Sequence, residues 1–124
     1  MKPLTKEWVD KAEGDYKVTA DESRTEEPVW DAACFHAQQC SEKYLKAWLI
    51  EQGIAFPKTH YLAALAKSCL ASLPEISTMM EGLNIRTSLS AEVRYPGTWM
   101  GLTDAERSLQ ILRQFREIVR QKPT

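Results

Sequence analysis

The sequence predicts an all-α fold: an antiparallel up-and-down bundle of four to five helices, forming a single domain over residues 1–124. Apolar residues recur at helical spacing in each long segment, and no segment alternates apolar and polar residues for long enough to form a strand. A chain of 124 residues, 44% of them hydrophobic, suits one domain with one core. We therefore expect helices joined by short connections around a shared apolar centre.

The first helix is predicted over residues 5–24, with Thr5 as its N-cap. An inner stripe at helical spacing consists of Trp8, Ala12, Tyr16 and Thr19. The charged residues between these positions are expected to stay in water; they are Lys6, Asp10, Lys11, Glu13 and Lys17.

The second helix is the longest, from Pro28 to Gly53, and the rest of the chain is organised around it. Proline suits a first helical turn, glycine suits a C-terminal stop, and neither residue occurs between them. Its apolar face is so wide that it needs neighbours on more than one flank. That face contains Val29, Trp30, Ala33, Ala37, Cys40, Tyr44, Ala47 and Trp48, extended by Cys34, Leu45 and Leu49.

A second stripe on this helix is polar and contains His36, Gln39, Lys43 and Lys46. A single partner surface could meet all four, so His36 and Lys43 are candidate ligand contacts, with a structural or interface role as the alternative for His36. Phe35 and Ile50 lie roughly opposite the apolar face, beyond the reach of a single small bundle. We therefore predict a two-fold homodimer with its interface at or near Phe35, Gln39, Lys46 and Ile50. Glu42 is expected to pair with Lys46 at i, i+4.

The remaining helices are placed by caps and breakers. A third helix is predicted over residues 59–73 with Thr59 as its cap, and a fourth over residues 74–91, beginning at Pro74. The segment RYPGTWMGL is expected to be an ordered loop, because Pro96 and Gly97 end any helix. Thr103-Asp-Ala-Glu106 is a predicted capping box for a fifth helix that ends near Lys122.

Composition excludes several classes of function. The N-terminus is too charged for a signal peptide and no apolar run reaches about 18 residues, so we expect a cytoplasmic protein without a membrane partner. Three cysteines in such a chain are expected to be reduced and buried, and no metal or cofactor is expected. A net charge of −1 gives no general attraction to nucleic acid, so any such site must be a local patch.

Two short segments suggest a ligand site. Lys58-Thr59-His60 brings an ammonium to a helix N-terminus, which favours an anion; the alternative is a simple cap, with Lys58 solvated and His60 packed. Arg94, Tyr95 and Trp99 combine a phosphate-binding guanidinium with two stacking rings, which suits a nucleotide or RNA base. The alternative is that both rings plug the bundle end and the arginine binds helix carbonyls.

A row of arginines marks the last helix at three- and four-residue spacing. They are Arg113, Arg116 and Arg120. We interpret such a row as a solvated helix face, and the alternative is that it binds an acidic partner or nucleic acid.

The motifs FHAQQ (35–39), EKYLKA (42–47), KTH (58–60) and RYPG (94–97), in this order, resemble the HEPN domain family, in particular small prokaryotic members with an RYP motif. The resemblance implies a helical bundle that usually dimerises. It also implies frequent pairing with a separately encoded minimal nucleotidyltransferase, often as toxin and antitoxin. The Arg94 loops of the two chains would approach a shared cleft.

One feature departs from that family's ribonucleases, in which four to six residues separate an arginine from a following histidine. Here Arg94 is followed at those distances by Trp99, Met100 and Gly101. We therefore predict a non-catalytic nucleotide- or RNA-binding module that works with a nucleotidyltransferase. The alternatives are a ribonuclease toxin whose acid–base group is His36 or His60, and a purely structural dimer.

Overall fold

Residues 1–56, 58–59, 62–79 and 99–121 are described by the computed structural model, and every regular element within them is helical. This confirms the predicted all-α bundle. In chain order the elements are α1 (Pro3–Glu22), α2 (Trp30–Glu51), α3 (Leu62–Cys69), a 3-10 helix (Pro74–Met79) and α4 (Leu102–Gln121). The helix labelled α4 is the one that the sequence predicted as the fifth.

The first two helices form an antiparallel hairpin. The contacts between them fall in opposite order along the two helices: Lys2 Nζ donates to Ile50 O, whereas Thr19 Oγ1 donates to Ala33 O at 3.1 Å. Small residues line the seam, since Ala12, Ala33 and Ala37 are all buried. A side chain with no more than a methyl group lets the two backbones approach closely, which brings polar groups beside the seam within hydrogen-bonding reach.

The core lies between α2, α3 and α4. The Tyr44 ring packs against the Phe115 ring with their centroids 6.1 Å apart. The wide apolar face predicted for α2 is confirmed apart from Val29, which is exposed. The fully buried apolar side chains of the core include Leu45, Leu49, Leu62, Leu65, Leu73, Ile76 and Leu112.

The start of α1 and of α2 differs from prediction. Lys2 is the N-cap of α1 and makes no side-chain cap bond, while Thr5 lies inside the helix and is buried, so the predicted Thr5 cap is wrong. Proline at the first turn starts this helix without help from a hydroxyl. In α2 the N-cap is Val29, and Pro28 precedes the helix. Gly53 follows the helix with φ 70°, a left-handed conformation that suits glycine, as predicted for the C-terminal stop.

The start of α4 also differs from the predicted capping box. The helix begins at Leu102, so Thr103 is helical, and Gly101 O accepts the first helical hydrogen bond, from Ala105 N–H. Asp104 Oδ2 accepts from Gly101 N–H at 2.9 Å. The Asp104 carboxylate, in the first turn of the helix, thus accepts from the N–H of Gly101, the residue before the helix. This is one half of a capping box, placed two residues earlier in the chain than predicted.

The segment after α3 is tighter than predicted. The helix ends at Cys69, although Leu73 N–H still donates to Cys69 O at 2.7 Å. The chain then forms a 3-10 helix at Pro74–Met79, where an α-helix was predicted. The rest of the predicted fourth helix, up to residue 91, lies outside the described residues.

The three cysteines, Cys34, Cys40 and Cys69, are free and buried. Burial raises the pKa of the Cys69 thiol to about 12, and burial together with the nearby Asp15 and Glu13 carboxylates also raises the pKa of Cys40. None of the helices within the described ranges is long and apolar enough to cross a bilayer.

Candidate functional site

Two of the predicted ligand contacts on α2 meet a carboxylate of α1. Asp15 Oδ1 lies 2.9 Å from His36 Nδ1, and Asp15 Oδ2 accepts from Lys43 Nζ at 2.5 Å. His36 and Lys43 are seven residues apart, so they share a helix face two turns apart and both reach the same residue across the seam. Asp15 itself is buried. Both of its carboxylate oxygens therefore have partners within the chain, and these partners are two groups that were predicted to meet a ligand.

The Asp15 contact also fixes the orientation of the His36 ring. A carboxylate accepts only, so Nδ1 must carry the hydrogen in this contact, and Nε2 is the ring nitrogen left for other partners. The ring of Phe35 approaches His36 edge to face, with centroids 5.4 Å apart. The result is an oriented, half-buried imidazole beside an aromatic ring.

The predicted pair between Glu42 and Lys46 is confirmed, at 2.8 Å, but it is mostly buried instead of lying on the surface. Lys46 Nζ also lies 5.4 Å from the centroid of the Trp8 ring on α1. This second lysine of the polar stripe is thus also paired inside its own chain.

The predicted dimer residues differ in exposure. Phe35 leaves 45% of its surface in water, whereas Gln39 and Ile50 are half-buried. Beside the polar stripe there is therefore one exposed aromatic ring, Phe35, and the two lysines of the stripe are already paired with carboxylates. A contact between two chains at this face stays a prediction.

The predicted loop site is only partly described. Arg94 and Tyr95 lie outside the described residues, while Trp99 leaves 80% of its surface in water. The alternative in which the Trp99 ring plugs the bundle end is therefore wrong. The next residue is anchored, since Met100 N–H donates to Asp31 Oδ1 at 2.7 Å.

The predicted anion site before α3 is also incomplete. Lys58 is exposed and Thr59 is half-buried, but His60 lies outside the described residues. Since α3 begins at Leu62, the convergence of these three groups on a helix N-terminus stays a prediction.

The arginine row on α4 meets an acid of the same chain. Arg116, whose side chain is only 16% exposed, donates to Glu13 Oε2 at 2.8 Å, and Arg120 donates to Glu13 Oε1 at 3.0 Å. The Tyr44 hydroxyl also donates to Glu13 Oε1. The guanidinium of Arg116 stacks on the Tyr16 ring at 3.7 Å. The expectation that Glu13 and this arginine row are simply solvated is thus wrong for Glu13 and Arg116.

This network shifts the ionisation of its members. Burial alone raises the pKa of the Glu13 carboxyl, but the hydrogen bonds from Tyr44 and Arg116 outweigh it and hold that pKa below its usual value. Burial and the Glu13 contact raise the pKa of the Tyr44 hydroxyl. The network is therefore built around an ionised glutamate and a neutral tyrosine.

Asp15 and Glu13 are the residues that sequence reasoning missed. Asp15 follows Ala12 by three residues, which places an acid beside the inner stripe of α1, where His36 and Lys43 of α2 reach it. That position was a usable signal. Within the described ranges, no three His, Cys, Asp or Glu side chains are grouped so that they could hold a metal ion.

Comparison with known proteins identifies a family but no individual related protein. The family model described as HEPN domain matches residues 5–122, nearly the whole chain. No curated protein matches the sequence, and no solved structure matches it.

Proposed function

Because the chain belongs to the HEPN domain family, we propose that it acts as a dimeric interaction module together with a separately encoded minimal nucleotidyltransferase, as a toxin–antitoxin-like pair. The observation that carries this choice is the polar stripe of α2. Its lysines, Lys43 and Lys46, are paired with Asp15 and Glu42, while Phe35 beside them stays exposed.

Balanced charge around an exposed aromatic ring suits a protein contact better than a phosphate contact. A phosphate would have to displace Asp15 from His36 and Lys43, leaving a buried carboxylate without its partners, which is costly. A protein surface needs no such exchange, because interface centres favour aromatic rings and few free charges. In a two-fold dimer the Phe35 rings of both chains would lie in the contact.

Phe35→Glu tests the dimer. The wild type should show about twice the 14.2 kDa chain mass in light scattering behind size exclusion, and the variant should shift towards one chain mass because two charges enter the contact. Val18→Glu is the matched control, since Val18 is an exposed apolar residue of α1. Circular dichroism should report both variants as folded. A wild-type protein of single-chain mass would refute the dimer.

The partner is tested separately. A neighbouring open reading frame with a Gly-Ser and paired-Asp signature should encode a protein that co-purifies with this chain when both are expressed. Failure of two such proteins to associate would exclude the pairing while leaving the dimer in place.

Nucleotide or RNA binding is a second candidate, favoured by the exposed indole of Trp99. The sequence adds Arg94 and Tyr95 in the same loop, with Lys58 as a further cation. Calorimetric titration with nucleoside triphosphates and short single-stranded RNA should then detect binding that is lost in Trp99→Ala, Arg94→Ala or Lys58→Ala. Absence of binding would leave the interaction module as the function.

A ribonuclease with an atypical site is favoured only by the oriented His36 imidazole. An Asp-held histidine is a common general base, and the family's arginine is present as Arg94. Induced expression in a bacterial host gives the answer. Growth arrest with RNA cleavage that is abolished by both Arg94→Ala and His36→Ala would overturn the non-catalytic proposal, and harmless expression would exclude the ribonuclease.

A further inference from the structure

One end of the bundle carries exposed apolar side chains that the proposed dimer does not use. We call it the Trp99 end: residues 21–31, which contain the chain between α1 and α2, together with residues 99–107, which lead into α4. Its exposed apolar residues are Trp99, at 80%, Val29, at 55%, and Leu102, at 54%. Exposed apolar groups clustered in one region mark interaction sites more often than scattered ones do.

The backbone at this end is held in place. Met100 N–H donates to Asp31 Oδ1 at 2.7 Å, joining the chain before α4 to the first turn of α2. Val29 N–H donates to Glu22 Oε1 at 2.7 Å. Beneath these contacts lies a small buried cluster of Ala33, Cys34, Met100 and Ala105, with Trp30 packed against it. The exposed residues therefore stand on a preformed surface, which reduces the entropy lost on binding.

The charge at this end is strongly acidic. Residues 21–31 and 99–107 contain seven acidic and two basic residues: Asp21, Glu22, Glu26, Glu27, Asp31, Asp104 and Glu106 against Arg24 and Arg107. Four of the acids are exposed: Asp21, which pairs with Lys17 and Arg24, and Glu26, Glu27 and Glu106. In the sequence, residues 80–98 carry two acids and two bases.

From the apolar residues and the acidic rim together, we propose that the Trp99 end docks a basic, apolar segment of another protein. The apolar side chains would cover Trp99, Val29 and Leu102, and lysine or arginine side chains would reach the rim. Carboxylates within a Debye length, about 8 Å at physiological salt, repel phosphates, so the charge disfavours RNA on the same indole. None of Trp99, Val29 and Leu102 is among the residues predicted at the dimer contact, so failure of this docking would leave the dimer proposal standing.

A pair of model peptides tests the proposal. A fluorescently labelled amphipathic Leu/Lys peptide should bind the full chain in an anisotropy titration, and the matched Leu/Glu peptide should not. Binding should weaken about tenfold or more in Trp99→Ala and in the double variant Glu26→Gln/Glu27→Gln. Raising the salt from about 0.05 to 0.5 M should also weaken it.

The controls are placed at the opposite end of α1. Leu4→Ala removes an exposed leucine and Glu7→Gln an exposed acid, and neither should change the affinity. If Trp99→Ala and Leu4→Ala bind the Leu/Lys peptide equally, or if that peptide does not bind, the proposal is overturned. Trp99-dependent binding of short single-stranded RNA would overturn it as well. Since Trp99, Glu26 and Glu27 are exposed, their variants should keep the wild-type circular dichroism.

Discussion

The Glu13 carboxylate on α1 accepts a hydrogen bond from the Arg116 guanidinium on α4 at 2.8 Å, across 103 positions of the sequence. The same carboxylate receives the Tyr44 hydroxyl from α2. One partly buried acid therefore ties together the three longest helices of the described chain.

Replacing Glu13 by glutamine should destabilise the fold by about 1–2 kcal/mol. Bonds between charged partners contribute about 1.5–3 kcal/mol, and the partial exposure of Glu13 reduces that figure. Urea denaturation gives the value. Asp10→Asn is the control, because Asp10 forms an exposed pair with Lys6 and should change stability little. Equal effects of the two substitutions would contradict a special role for Glu13.

The same residue predicts a loss of stability in acid. Its folded pKa is lowered, so its stabilising contribution is complete above the unfolded value, about 4.3, and is lost as pH falls through the folded value. Urea midpoints measured from neutral pH down to about pH 3 should therefore fall less steeply for Glu13→Gln than for the wild type. Parallel curves would show that Glu13 does not carry this pH dependence.

A double-mutant cycle should measure coupling between Asp15 and His36. Asp15→Ala should cost about 2–3 kcal/mol, because it leaves Lys43 as well as His36 without an acceptor, and His36→Ala should cost less. Their coupling energy should fall within about 0.5–3 kcal/mol. Additive single effects would mean that the contact at 2.9 Å contributes no stability.

Replacing Gly14 or Gly53 by alanine should change the stability of the fold in opposite directions. Gly14 lies within α1 with open space around it, so Gly14→Ala should stabilise by about 0.5–1 kcal/mol. Gly53 also has space for a methyl group, but at φ 70° alanine should cost about 1 kcal/mol. Thermal unfolding of both variants gives the signs, and a destabilised Gly14→Ala would contradict the helix-propensity argument.

Periodicity predicted the helices well because burial of an apolar face is a property of each helix by itself. The face around Tyr44 and Leu45 could be found without knowing what covers it. Helix starts were harder to predict, because several nearby side chains can cap the same helix and the sequence does not say which of them bonds to a free N–H. Thr103 and Asp104 both suit that role, and the structure uses Asp104.

The site was less predictable than the fold. His36 and Lys43 were recognised as sharing one face, but neither the ligand prediction nor the structural alternative for His36 named Asp15, because periodicity does not say which neighbouring helix supplies a counter-charge. Asp15 supplies it. Partners across a helix seam depend on the relative register of the two helices, which the sequence of either one does not contain.

The buried thiols of Cys40 and Cys69 can be used to measure how often the fold opens locally. A thiol reacts as the thiolate, and burial with a raised pKa suppresses that form, so a disulfide reagent should modify these residues only when the helices around them separate. Under conditions where reclosing is faster than the reaction, the labelling rate divided by that of a free thiol gives the fraction of time that each site is open. Cys40 lies on α2 and Cys69 at the end of α3, so the two rates compare how often the central helix and its shorter neighbour open.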